Sequence, residues 1–172
     1  MAFVDRSSRS RVILCALLAL LMFACVDAFA QSAPALRVIG DVPNHLALSL
    51  ADFAALKHST IHVTDDQGAS VEYAGASIAA ILEKSGASLG KQLKGPNMAV
   101  GVVASAPDGY HVLFSLAEFD SAFSDRVIIL ADRRNGKALD NREGPLRIVV
   151  PGDKRHARWI RGVNTLEVVR VK

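Results

Sequence analysis

Cysteine is nearly absent. The 172-residue chain has two, Cys15 and Cys25, both within its first thirty residues. Residues 31–172 therefore offer no disulfide, no thiolate nucleophile and no thiolate metal ligand. Other signatures are missing too. No serine sits in a Gly-x-Ser-x-Gly elbow, and Gly86–Gly90 lacks the Lys-Ser/Thr ending of a phosphate-binding loop. Charge of one sign is not in excess. Without the three Arg and two Asp of residues 1–30, the 20 basic and 17 acidic residues become 17 and 15, a net charge of +2. That balance speaks against general nucleic-acid binding. The pI near 9.1 reflects scattered bases and one cluster.

Long apolar runs are also lacking, with one exception near the start. Arg6, Arg9 and Arg11 precede the run Val12–Val26, which ends in Asp27-Ala28-Phe29-Ala30. This is the basic, apolar, small-residue order of a secretory signal peptide, with cleavage expected after Ala30. The run is shorter than the ~20 residues a spanning helix needs. No arginine pair adjoins it, only Ser8-Arg9-Ser10-Arg11, so the export route expected is the one for unfolded chains. Residues 31–172 are then a periplasmic or secreted domain, with no membrane attachment after cleavage.

What is present is a series of short strands and helices. Leu36–Ile39, Thr60–Thr64, Ser70–Tyr73, Met98–Ser105, Tyr110–Ser115, Val127–Ala131, Leu146–Val150 and Thr165–Val171 have strand composition. Ser49 and Ser77 stand where they can N-cap two helices. The first has Leu50, Phe53, Ala54 and Leu56 on its apolar stripe, and the second has Ile78, Ile81 and Leu82 before Gly86. Turns are expected at 65–68, at Pro107-Asp108-Gly109 and at Asn135-Gly136. No linker divides the chain after residue 30. The pattern predicts one α+β domain, a mixed, mostly antiparallel β-sheet with short helices.

The segment 126–171 carries the most chemistry. Pro151-Gly152 ends the strand Leu146–Val150. Lys154, Arg155, His156, Arg158 and Arg161 then follow within eight residues. Such a loop at a strand end suits an anion, since guanidinium groups present a rigid fork of donors. The histidine adds a group that titrates near neutral pH. Trp159 reads as a hydrophobic plug beside the loop. His58 and His62 lie four apart on a strand, a poor geometry for a metal pair, and no metal site is expected.

Taken together, the segments resemble the molybdopterin-binding domain of sulfite-oxidase-type oxidoreductases in a small stand-alone form. The motifs are Tyr73-Ala-Gly-Ala-Ser-Ile-Ala-Ala-Ile-Leu82, Asp108-Gly-Tyr110, Asn135-Gly-Lys-Ala-Leu139, Glu143-Gly-Pro-Leu-Arg-Ile-Val-Val-Pro-Gly152 and Ala157-Arg-Trp-Ile-Arg161. The resemblance implies that fold and a pterin held by backbone and basic side chains, with Arg158 and Arg161 on basic positions. It also implies a molybdenum-binding cysteine at the end of the strand around Ile61–Asp65, where this chain has none. Asp65 and Asp66 read first as turn residues; an active form would need one of them or a histidine as ligand, and a hard carboxylate is a poor exchange for a soft thiolate.

The expectation is a non-catalytic relative with a basic pocket. Lys154, Arg155, His156, Arg158 and Arg161 would form it, with Asp108 and Tyr110 opposite. It would bind a small anion, a pterin-like ligand or a periplasmic protein partner. Molybdopterin is the one cofactor the resemblance leaves open. The alternatives are an active molybdopterin-dependent oxidoreductase with unusual ligation, and a purely structural or interaction domain.

Overall fold

Asn135 and Gly136 both adopt positive φ, 49° and 74°, and reverse the chain in two residues. This is the turn whose twist matches that of the flanking strands. It pairs Arg134 with Lys137, joining strands β7 (Ile129–Arg134) and β8 (Lys137–Ala138). The later run Leu146–Val150 returns to the same edge of β7 as β9 (Arg147–Val149), with Ile129 opposite Val149. The other edge of β7 pairs with β4 (Ser70–Ser77), and β4 pairs with β3 (His58–Thr64). β7 is thus flanked on both sides, and Ile129, Leu130 and Ala131 are all buried.

A second five-stranded sheet runs β2-β1-β10-β5-β6. Its members are β1 (Leu36–Gly40), β2 (Leu46–Leu48), β5 (Val100–Ser105), β6 (His111–Ser115) and β10 (Thr165–Arg170). β1 and β10 are parallel, and every other pairing is antiparallel. Alternation selects the inner face: Leu36 and Val38, Val102 and Ala104, Leu166 and Val168 are buried. These facts come from a computed structural model that describes residues 33–65 and 67–171. The expected signal peptide, with Cys15 and Cys25, lies outside the described residues, as does Asp66.

The architecture is α+β, with two α-helices among the described residues. Helix α1 (Leu50–Ala54) begins at Ser49, whose amide donates to the Asp52 carboxylate at 3.0 Å while its hydroxyl accepts from the Asp52 amide at 3.1 Å. This capping box starts a helix too short to stand alone. Phe53 is its buried anchor. Helix α2 (Ile78–Ser85) buries Ile78, Ile81 and Leu82 and ends at Gly86 with φ 81°. Among the described residues, no helix is long and apolar enough to cross a membrane.

Several local expectations need correction. The strands divide between two sheets rather than one, because β10 pairs with β1 and β5, and β7 with β4. Leu50 is exposed, since only one side of the short α1 faces the core. Ser77 occupies the cap position of α2 without a side-chain bond to it, because it is still the last residue of β4. Residues Gly95–Ala99 form a 3-10 turn, which leaves Met98 exposed and delays β5 to Val100.

Candidate functional site

The segment after β9 leaves the sheet at Gly152 (φ 83°) and comes back at Ile160, whose carbonyl accepts from the Ile148 amide at 2.9 Å. A 3-10 turn, His156–Arg158, forms its outer limb. Trp159 pins the inner limb. Its indole N–H donates to the Val150 carbonyl at 3.1 Å, and its ring meets Tyr73 edge-on at 6.2 Å. Trp159 is 3% exposed, a plug as expected, and the ring of His156 stacks over it at 3.7 Å.

The hairpin tip between β5 and β6 reaches this loop from the other sheet. Asp108 accepts from the Tyr110 amide at 2.9 Å, closing the turn, and the Tyr110 hydroxyl donates to the Ala157 carbonyl at 2.9 Å. Between tip and loop lies a cleft of about 280 Å³ lined by Asp108, Tyr110, His156, Trp159 and Arg161. A neighbouring cleft of about 410 Å³ takes Lys154 and His156 with His62 and Thr64 of β3. A third, of about 160 Å³, lies beneath Arg161 and His156.

Four of the predicted residues therefore share one cleft: Asp108, Tyr110, His156 and Arg161. Lys154 lines the neighbouring one, and Arg155 lines none of the three. Arg158 turns away. Its Nε and one terminal nitrogen donate to both oxygens of Asp153 at 3.0 and 2.9 Å. The other terminal nitrogen donates to Glu118 at 2.7 Å, and the group lies over the Phe114 ring at 5.1 Å. The paired carboxylates raise the Arg158 pKa further above its already high value. Arg158 is a cross-tie between the loop and the turn at 116–119, not a cleft-lining cation.

The third cleft also holds Arg134, Glu143 and Arg147, to which the sequence reading assigns no role. Arg147 sits in β9 with its side chain 6% exposed, bonded to Glu143 and donating to the Tyr73 hydroxyl at 3.2 Å. Its guanidinium lies within 6 Å of the Tyr73 and Trp159 rings. Arg134 bridges Glu143 at 3.4 Å and Asp65 at 3.3 Å. Burial raises the Tyr73 pKa. A signal exists in the chain: Leu146-Arg147-Ile148 puts a charge inside an apolar run. A buried charge needs a partner nearby.

A family model described as the oxidoreductase molybdopterin-binding domain matches residues 59–171. The chain belongs to this family. The molybdopterin-binding-domain fold is also that of the crystal structure of the sulfane dehydrogenase SoxCD from Paracoccus pantotrophus. That structure superposes with a TM-score of 0.61 at 18% identity, over 77% of this chain and 37% of that one. The chain thus spans little more than a third of that relative's length, and at that identity the likeness is one of fold. No curated protein matches the sequence.

The donor set of this family member does not fit a molybdenum centre. Residues 31–172 contain no cysteine, and among the described residues no group of three or more His, Cys, Asp or Glu could hold a metal. Asp65, at the end of β3, is occupied as a turn residue. Its Oδ1 accepts from the Gln67 and Ala69 amides at 2.9 Å each, and its Oδ2 faces Arg134. These bonds, the Ala69 amide foremost, hold its carboxyl below the usual value. A depressed carboxyl stabilises the fold above its unfolded value of about 3.9, and that contribution fades as pH falls through the folded value. Urea midpoints measured from pH 6 down to pH 3 should fall less steeply for Asp65→Asn than for the natural protein. Parallel curves would mean that the turn bonds contribute nothing to folding.

Proposed function

We propose that this family member is exported and non-catalytic, and that it binds a small anion where Asp108, Tyr110, His156 and Arg161 meet. The leader of residues 6–30 supports export. The lack of a thiolate supports loss of the metal chemistry. The observation that carries the site is the contrast among its arginines. Arg134, Arg147 and Arg158 are committed to carboxylates of the chain, whereas Arg161 is exposed and has no ion pair among the described residues. A small oxyanion would take its fork, with the His156 ring and Tyr110 hydroxyl at the rim. A pterin-like ligand would add a flat ring against the same wall.

Titration calorimetry with inorganic phosphate, at fixed ionic strength, tests this on protein purified after expression of the full chain. Charge-assisted bonds contribute about 1.5–3 kcal/mol. Arg161→Ala should therefore weaken binding roughly tenfold to a hundredfold with unchanged melting. Equal affinity in the variant would remove the site from Arg161.

Family membership supports a second function, a molybdopterin oxidoreductase with unusual ligation. Molybdenum and pterin at one per chain, in protein from its native compartment, would establish it and end the first. Asp65→Ala would then strip the metal. Metal content that survived Asp65→Ala would clear Asp65 of that role.

A further inference from the structure

Arg158 is surrounded to an unusual degree. All three of its guanidinium nitrogens donate to carboxylate oxygens: two to Asp153 in a fork, one to Glu118. The carboxylates are themselves held. Glu118 Oε1 accepts from the Ser115 amide at 3.1 Å, and Asp153 Oδ1 also faces Arg126 at 3.4 Å. The underside of the guanidinium is covered by Phe114. Two arginines and two carboxylates leave no net charge for an incoming anion. The fork that would grip a phosphate is already filled by a group of the same shape.

We infer that Glu118 and Asp153 are resident counter-ions that hold the basic position at Arg158 shut to phosphate-bearing ligands. Among the arginines of the loop this leaves Arg161 as the one that lines these clefts. A guanidinium can serve an external oxyanion only with donors to spare. Asp153 takes the bidentate edge of Arg158 and Glu118 takes its other terminal nitrogen, and Arg158 lines none of the three clefts around the loop. An external phosphate would have to displace two carboxylates that are tethered to the same chain and therefore present at high effective concentration. The cofactor that gives the family its name carries a phosphate. At Arg158, which the resemblance puts on a basic position of the family, the donors are taken by two acidic side chains rather than lost by removal of the arginine. The inference rests on the anion-binding proposal above only for the contrast with Arg161.

The test is a phosphate titration of ¹⁵N-labelled protein, expressed as the full chain, followed at the arginine Nε resonances. In the natural protein the Arg161 signal should move and the Arg158 signal should stay fixed up to 10-fold the phosphate concentration that half-saturates Arg161. Glu118→Gln combined with Asp153→Asn should open the seat. Phosphate should then bind a second site at least tenfold more tightly than the natural protein binds phosphate at Arg158, and adding Arg158→Gln should abolish it. An Arg158 signal that moves in the natural protein together with Arg161 or before it would overturn the inference. So would a folded double variant with unchanged phosphate binding. If the double variant does not fold, the titration of the natural protein still decides. A static Arg161 signal would sink the anion-binding proposal, and Arg158 would then be judged by whether its own signal moves at the highest phosphate reached.

Discussion

Gly75→Ala should destabilise the domain by about 3 kcal/mol, a large share of the stability of an ordinary marginal protein. Gly75 lies in β4 opposite Ala131, at the point where the register between β4 and β7 shifts. Arg133 pairs with Ala74 and Ala131 with Gly75, so Asp132 is the extra residue of a bulge. A Cβ on Gly75 would stand 2.0 Å from the Leu130 carbonyl oxygen and 2.4 Å from the Ala131 Cα. Both are backbone atoms of a buried strand and cannot swing aside. The bulge also has a use. It directs Asp132 toward His58, whose Nε2 lies 3.2 Å from the Asp132 carboxylate. Urea unfolding of Gly75→Ala measures the effect, with Gly68→Ala as control. Gly68 has φ 83° but nothing within 4 Å of its Cβ position, so it should lose only the roughly 1–2 kcal/mol of a left-handed alanine. Equal losses at the two positions would mean that the close approach in β4 carries no penalty.

What is local in this fold is legible in the chain, and what is not local is not. The Asn135-Gly136 hairpin, the Ser49 capping box and the Pro107-Asp108-Gly109 turn are each written in two to four consecutive residues, and each forms where expected. The division into two sheets depends on pairings between distant segments. β1 lies beside β10, and β7 receives β9 after an excursion from residue 139 to residue 146. Composition makes each of these a strand without saying which neighbour it takes. The bulge at Gly75 is invisible for the same reason, since its cause is the approach of β7.

The site divides along the same line. His156 and Arg161 can be picked from the chain because their neighbours in sequence are also basic. Arg158 looks the same in sequence, yet its partner Glu118 is forty positions earlier and cancels it. Clustered charge in a chain therefore overstates charge in a cleft, because carboxylates compensate it, Asp153 from within the loop and Glu118 from another element. Arg147 shows the converse. It stands alone in an apolar run with no basic neighbour, while Tyr73, Trp159 and Glu143 converge on it.

That convergence sets the second large effect. Arg147→Met should cost about 3–5 kcal/mol, the loss expected when one partner of a buried ion pair is removed. The methionine fills most of the space, so the loss is mainly electrostatic. Glu143, 15% exposed, would keep only the longer contact to Arg134, and the Tyr73 hydroxyl would lose its donor from Arg147. The pair replaced together behaves differently. Glu143→Gln with Arg147→Met leaves no buried charge uncompensated, and should recover most of the loss. A double-mutant cycle in urea measures the coupling directly. Strong coupling with a recovered double variant would make Arg147 and Glu143 a matched pair in the floor beneath the Arg161 cleft. A single variant costing less than about 1 kcal/mol would show that Arg147 is held by its aromatic neighbours and not by Glu143. The same variants bear on binding. Phosphate affinity at Arg161 should survive in the double variant, because the floor supports the loop through packing of Trp159 and Tyr73 rather than by lending its charge to the ligand.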